Sequence, residues 1–69
     1  METQVECYSG VEYAERPKAF NWQGQRLAVD EVPQRWREPG YKCFRVLAGG
    51  QTFELRYDEH TGDWQIELL

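Results

Sequence analysis

A chain of 69 residues has room for one domain and one core, since at this size only about 60% of the unfolded surface is buried, and that excludes a separate catalytic lobe. The 3 Trp, 4 Tyr and 3 Phe supply roughly 150–250 Å² of contact each when buried, which makes a thin core adequate. A net charge of −4 argues against avid, nonspecific nucleic-acid binding; no stretch nears the ~20 apolar residues of a membrane span, and the acidic start Met1-Glu2-Thr3 lacks a signal-peptide pattern, so a cytoplasmic protein without membrane contact is expected.

The apolar spacing alternates and is cut by glycine, with no helical rhythm beyond about two turns. Residues 1–17 read as an N-terminal extension. In it Val5 and Cys7 alternate with Glu6, and Val11 and Tyr13 with Glu12, which suits one or two short edge strands or a loosely attached tail before Pro17. Residues 18–69 read as a β-meander domain. Its first hairpin turns at Gln23-Gly24, so that Phe20 faces Leu27 and Trp22 faces Gln25. The second strand, about residues 25–37, is long enough to bend, with Pro33 marking an edge or bulge.

The second turn is Glu38-Pro39-Gly40-Tyr41, where proline presets φ and glycine accepts the positive φ that follows. A simple two-residue loop there sets Trp36 opposite Cys43, on the face away from Phe44; one bulge turns Trp36 inward. Gly49-Gly50 between two alternating segments is the clearest hairpin signal. It pairs Val46 with Phe53, Phe44 with Leu55 and Arg45 with Glu54. The last turn, Glu59-His60-Thr61-Gly62, has Asp58 placed to bond its backbone, and it pairs Tyr57 with Trp64, Leu55 with Ile66 and Phe53 with Leu68. Two separate turns therefore put Phe53, Leu55 and Tyr57 on one buried face. The expected fold is all-β: a single curled antiparallel meander of about five strands, or a small open barrel.

Catalytic chemistry is hard to assemble from these residues. His60 sits at a turn tip, where nothing excludes water, and Asp30-Glu31 and Asp58-Glu59 are neighbours whose side chains diverge in an extended strand. Cys7, Cys43 and His60 lack any C-x-x-C or H-x-x-x-H spacing, and two cysteines make no disulfide scaffold. No enzyme activity, cofactor or metal is expected, and Cys43 reads as a small apolar group on the second face of the sheet.

What remains is a surface. Residues 16–46 hold seven Lys or Arg against Asp30, Glu31 and Glu38. Trp36 in the simple register joins Tyr41, Cys43, Arg56 and the flanking Arg35 and Arg37 on or near the outer face, and the candidate contact residues are Arg35, Trp36, Arg37, Tyr41, Arg45 and Arg56. An indole beside guanidinium groups suits a protein partner or stacking on single-stranded nucleic acid. It also suits a plain cover for the sheet through cation–π contact. Open sheet edges add self-association, so the chain is expected as a monomer or homodimer.

The segments Tyr13-x-Glu15-Arg16-Pro17, Phe20-x-Trp22-x-Gly24, Val29-x-Glu31-Val32-x-x-x-Trp36, Phe44-Arg45-Val46 and Phe53-Glu54-Leu55-x-Tyr57-Asp58-x-x-x-Gly62-x-Trp64 resemble a small bacterial domain of unknown function. That domain occurs alone or at the C-terminus of polymerase-like mutagenesis proteins of the Y family. The resemblance spans roughly residues 13–66; it implies a β-rich fold, no assigned catalytic residues and a link to DNA damage tolerance. The chain departs from the pattern at Trp64-Gln65-Ile66-Glu67-Leu68-Leu69, where those relatives tend to close with a further aromatic.

Overall fold

The computed structural model describes residues 5–8 and 16–69. Their strands are β1 (Val5–Cys7), β2 (Pro17–Trp22), β3 (Gln25–Ala28), β4 (Glu31–Glu38), β5 (Tyr41–Ala48), β6 (Gln51–Asp58) and β7 (Trp64–Leu68). All neighbouring strands are antiparallel. They make two sheets, one ordered β1-β2-β3 and one ordered β4-β5-β6-β7, which do not close into a barrel.

The hairpin registers follow from the turns. Gly49 and Gly50 both have positive φ, 58° and 77°, the pair of left-handed residues that a two-residue primed turn needs and that L side chains resist. Across it Val46 meets Phe53, Phe44 meets Leu55 and Arg45 meets Glu54. The β6–β7 turn brings Tyr57 to Trp64, Leu55 to Ile66 and Phe53 to Leu68, and the β2–β3 turn brings Phe20 to Leu27. The Pro39-Gly40 turn takes the simple register, with Trp36 opposite Cys43.

The segment expected as one long bent strand is two strands. The Val29 N–H donates to the Lys18 carbonyl in the first sheet at 2.9 Å, and the very next N–H, of Asp30, donates to Leu47 in the second sheet at 2.7 Å. The chain changes sheets between those two residues, so the meander has six strands, and its curl is realised as a corner between two packed layers. Beyond the corner the β4–β5 register shifts between Glu31 and Gln34, a bulge that holds Pro33 on an edge strand, where its missing donor is tolerated.

Near the N-terminus, Val5 pairs with Phe20 and is fully buried, so β1 contributes to the core. Pro17 opens β2 and pairs with Cys7. The second candidate strand of the N-terminal extension, at Val11 and Tyr13, lies outside the described residues.

The core lies between the layers. Val5 and Phe20 from the first sheet meet Phe44, Val46, Ala48, Phe53, Leu55 and Trp64 from the second. Phe53 is its centre: the rings of Phe20 and Trp22 approach it at 4.9 and 5.3 Å, both edge-to-face. Such a geometry sets a positive ring edge against a negative ring face and adds about 0.5–1.5 kcal/mol per pair beyond burial. A second aromatic group, Phe44, Trp64 and Tyr57, closes the far end, with centroids 6.0 and 4.9 Å from Trp64.

Candidate functional site

Alternation along β4, β5 and β6 decides which side chains face away from the core. With Phe44, Val46, Phe53 and Leu55 buried inside, the residues between them point outward. Register then sets Trp36 beside Cys43 and Arg56 in one row, Glu38 beside Tyr41 and Asp58 in the next, and Gln34 beside Arg45 and Glu54 on the other side. Trp36, Tyr41, Arg45 and Arg56 are thereby brought together on the outer face of the second sheet.

Arg35 and Arg37 are not on that face. They flank Trp36 in an extended strand, so their side chains project to the core side, in the rows of Phe44 and Lys42. There Arg35 lines an open hollow of about 220 Å³ with Arg16, Val32 and Phe44. Arg37 holds the Glu59 carboxylate at 2.6 and 2.7 Å.

The outer face is built of stacked and paired groups. The Arg56 guanidinium lies 4.6 Å from the Tyr41 ring centre and donates to Glu38 Oε1 at 2.9 Å. The Trp36 indole N–H donates to the other oxygen of Glu38, also at 2.9 Å, and Arg45 sits 5.8 Å from the indole centre. Arg45 reaches Glu54 at 3.5 Å. Glu38, a turn residue by sequence, is thus the group that ties Trp36 to Arg56. Its spacing of two from Trp36 is the signal that could have found it, because residues i and i+2 of a strand share a face.

Electrostatically this face is acidic despite its two arginines. Glu38 and Glu54 neutralise Arg56 and Arg45, and Asp58 and Glu67 stand in the same outer rows. Cys43 is fully buried between Trp36 and Arg56 in its row. Burial pushes its thiol up, Glu38 adds to the rise, and Arg56 opposes it. On the first sheet, Arg26 of β3 grips Glu6 of β1 at 2.7 and 3.1 Å, and that guanidinium holds the Glu6 carboxyl below the usual range.

The groups weighed for catalysis or metal binding stay apart in the fold. Cys7 is in β1, Cys43 in β5, and His60 is exposed in the β6–β7 turn. The His60 and Thr61 N–H groups donate to Asp58 Oδ1 at 2.8 and 3.2 Å, which gives Asp58 the turn-capping role expected of it. Comparison with family models, with curated proteins and with solved structures finds no match for this chain.

Proposed function

We propose that this chain is a non-catalytic binding module whose contact surface is the outer face of β4–β6, centred on Trp36 and Tyr41 with Arg45 and Arg56, and that its ligand is a protein. The supporting observation is the cluster itself: two aromatic rings with guanidinium groups against them, held in place by Glu38, on the side of the sheet that the core does not use. Trp, Tyr and Arg dominate the energetics of protein interfaces because they combine area with fixed donors, and here their rotamers are held before any partner arrives.

The acidity of the same face favours protein over nucleic acid. A phosphate backbone approaching Arg45 and Arg56 meets Glu54, Glu38, Asp58 and Glu67 beside them, so few counterions would be released. A partner with an apolar spot for the Trp36 ring and a basic rim fits better. The resemblance to domains that accompany Y-family mutagenesis polymerases adds the expectation that the partner acts in DNA damage tolerance.

Two measurements test the proposal together. Crosslinking in a native extract, with the wild-type chain and with Trp36→Ala as bait, is expected to recover a partner that the variant loses. Titration of a labelled single-stranded oligonucleotide at low salt is expected to show no saturable binding. Tight oligonucleotide binding that collapses as salt rises would instead assign the face to nucleic acid, and equal recovery by Trp36→Ala would remove this face from the interaction.

A further inference from the structure

The outer face of the second sheet carries a local conflict. Glu54 and Glu67 stand directly opposite each other on β6 and β7, and like charges so placed are destabilising. The cation beside them is loosely engaged. Arg45 reaches Glu54 at only 3.5 Å, against 2.6–2.9 Å for Arg26–Glu6, Arg37–Glu59 and Arg56–Glu38, and its buried Nε has no hydrogen-bond partner among the described residues. The Arg45 side chain is nevertheless 39% exposed. Gln34, Gln65 and Glu67 are exposed as well, and Glu54, Gln65 and Glu67 line an open hollow of about 300 Å³.

The order of charges across the face gives this conflict a solution. In the row Gln34, Arg45, Glu54, Glu67, the positive group lies on one side of the sheet's midline and the negative groups on the other. A second copy, turned about a twofold axis that runs along the strands between β5 and β6, lays this row on itself in reverse. Arg45 then faces Glu54 of the second copy, Glu54 faces Arg45, and the Gln34 amide faces Glu67. Four alternating charges close into a ring at the axis, and each carboxylate of the Glu54–Glu67 pair gains a donor. In the next row Trp36 faces Gln65 and Cys43 faces Arg56, so neither row sets like charge against like.

Other axes do worse. An axis along β5 or β6 sets Arg45 or Glu54 against its own copy. An axis across the strands, through the row of Arg45 or the row of Arg56, sets that arginine against itself. Placed across the strands between those rows, it would bring Arg56 to Glu54, but Arg56 is already held by Glu38 at 2.9 Å and stacked on Tyr41. We propose that two copies of this chain pack face to face through β4–β7, on a twofold axis between β5 and β6, around the Arg45–Glu54 ring of charges. This rests on the reading of the Trp36 face as a protein-binding surface, and it names one occupant, a second copy. The interface is isologous and closes at two copies, and no strand edge takes part in it.

Four strands about 4.8 Å apart and about six residues long give a face of roughly 400 Å² per copy, about 800 Å² in all. That is about half of a standard interface, so a weak dimer is expected, dissociating at tens of micromolar or above. The net charge of −4 repels at long range, and 0.15 M salt screens that repulsion beyond about 8 Å. Sedimentation equilibrium in that salt, up to about 1 mM chain, is expected to show the dimer. Arg45→Glu and Glu54→Arg, each alone, set like charges together at the axis and are expected to weaken it about thirtyfold or more. Mixed, those two chains are complementary at both contacts and are expected to form a heterodimer. Arg45→Gln adds no repulsion within the chain and is expected to weaken the dimer about threefold to tenfold. Arg45→Glu combined with Glu54→Arg in one chain keeps the internal pair and is expected to dimerise as wild type does. A dimer unmoved by Arg45→Glu and Arg45→Gln overturns the proposal, as do folded single variants that fail to associate when mixed. A wild-type monomer at the highest concentration also overturns it; if Trp36-dependent recovery of a partner from extract persists, the face belongs to a different protein and the contact surface itself stands.

Discussion

At the scale of single residues, the second sheet uses Trp36 as a lid. Cys43 has no exposure although it lies on the solvent side, because its row places an indole on one flank and a guanidinium on the other. The raised thiol pKa follows from that burial first and from Glu38 second. A thiol that is both shielded and protonated reacts slowly, since the thiolate is the nucleophile. Trp36→Ala is expected to speed labelling of Cys43 by a disulfide reagent about tenfold or more, with the labelled site read by mass spectrometry. Unchanged labelling would mean that Trp36 does not cover this position. The same side chain serves as cover and as the proposed contact, and these roles are compatible because an interface anchor is often half-buried in its own protein.

At the scale of elements, turns do the specifying. The β6–β7 connection is held by Asp58, whose carboxylate accepts the His60 and Thr61 N–H groups, while the Thr61 hydroxyl accepts from Asp63 at 3.3 Å. The backbone bonds from His60 and then Thr61 hold the Asp58 carboxyl below its ordinary 3.8. A carboxyl whose folded pKa is depressed stabilises the fold above its unfolded pKa, and that stabilisation is lost as pH falls through the folded value. The stability gap between wild type and Asp58→Ala, read as a denaturant midpoint, is expected to be full at about pH 6 and to shrink below about pH 4. A gap that does not narrow in acid would show that the charge on Asp58 has no part in the turn.

For the whole molecule, the two sheets depend on one ring. Phe53 is fully buried, touches Phe20 and Trp22 from the opposite layer, and sits in the row that links Val46 to Leu68. Replacing a buried Phe by Ala costs about 3–5 kcal/mol, which is most of what a domain of this size has. Phe53→Ala is expected to lose its cooperative thermal transition, followed by near-ultraviolet circular dichroism; a loss under about 1 kcal/mol would show that the layers do not depend on this contact.

The alternation of large apolar residues between glycine-marked turns is enough to read the hairpin pairs across Gln23-Gly24, Gly49-Gly50 and the Glu59–Gly62 turn, because a hairpin register is a local matter of turn length and side-chain period. The pairing of Arg45 with Glu54 and the cap at Asp58 are legible for the same reason. The Pro39-Gly40 turn, by contrast, left two registers open for Trp36, and the structure takes the one opposite Cys43. Two further things were decided only in three dimensions. The break at Val29–Asp30 depends on which neighbour each N–H finds, Lys18 or Leu47, and no local pattern names a partner that far along the chain. The separation of Arg35 and Arg37 from Trp36 was written in the two-residue period, yet what those arginines meet, a hollow beside Arg16 and the carboxylate of Glu59, is a product of how the sheets and turns pack. Local rules determined the strands and the faces; long-range packing decided how many sheets they make and what stands opposite each face.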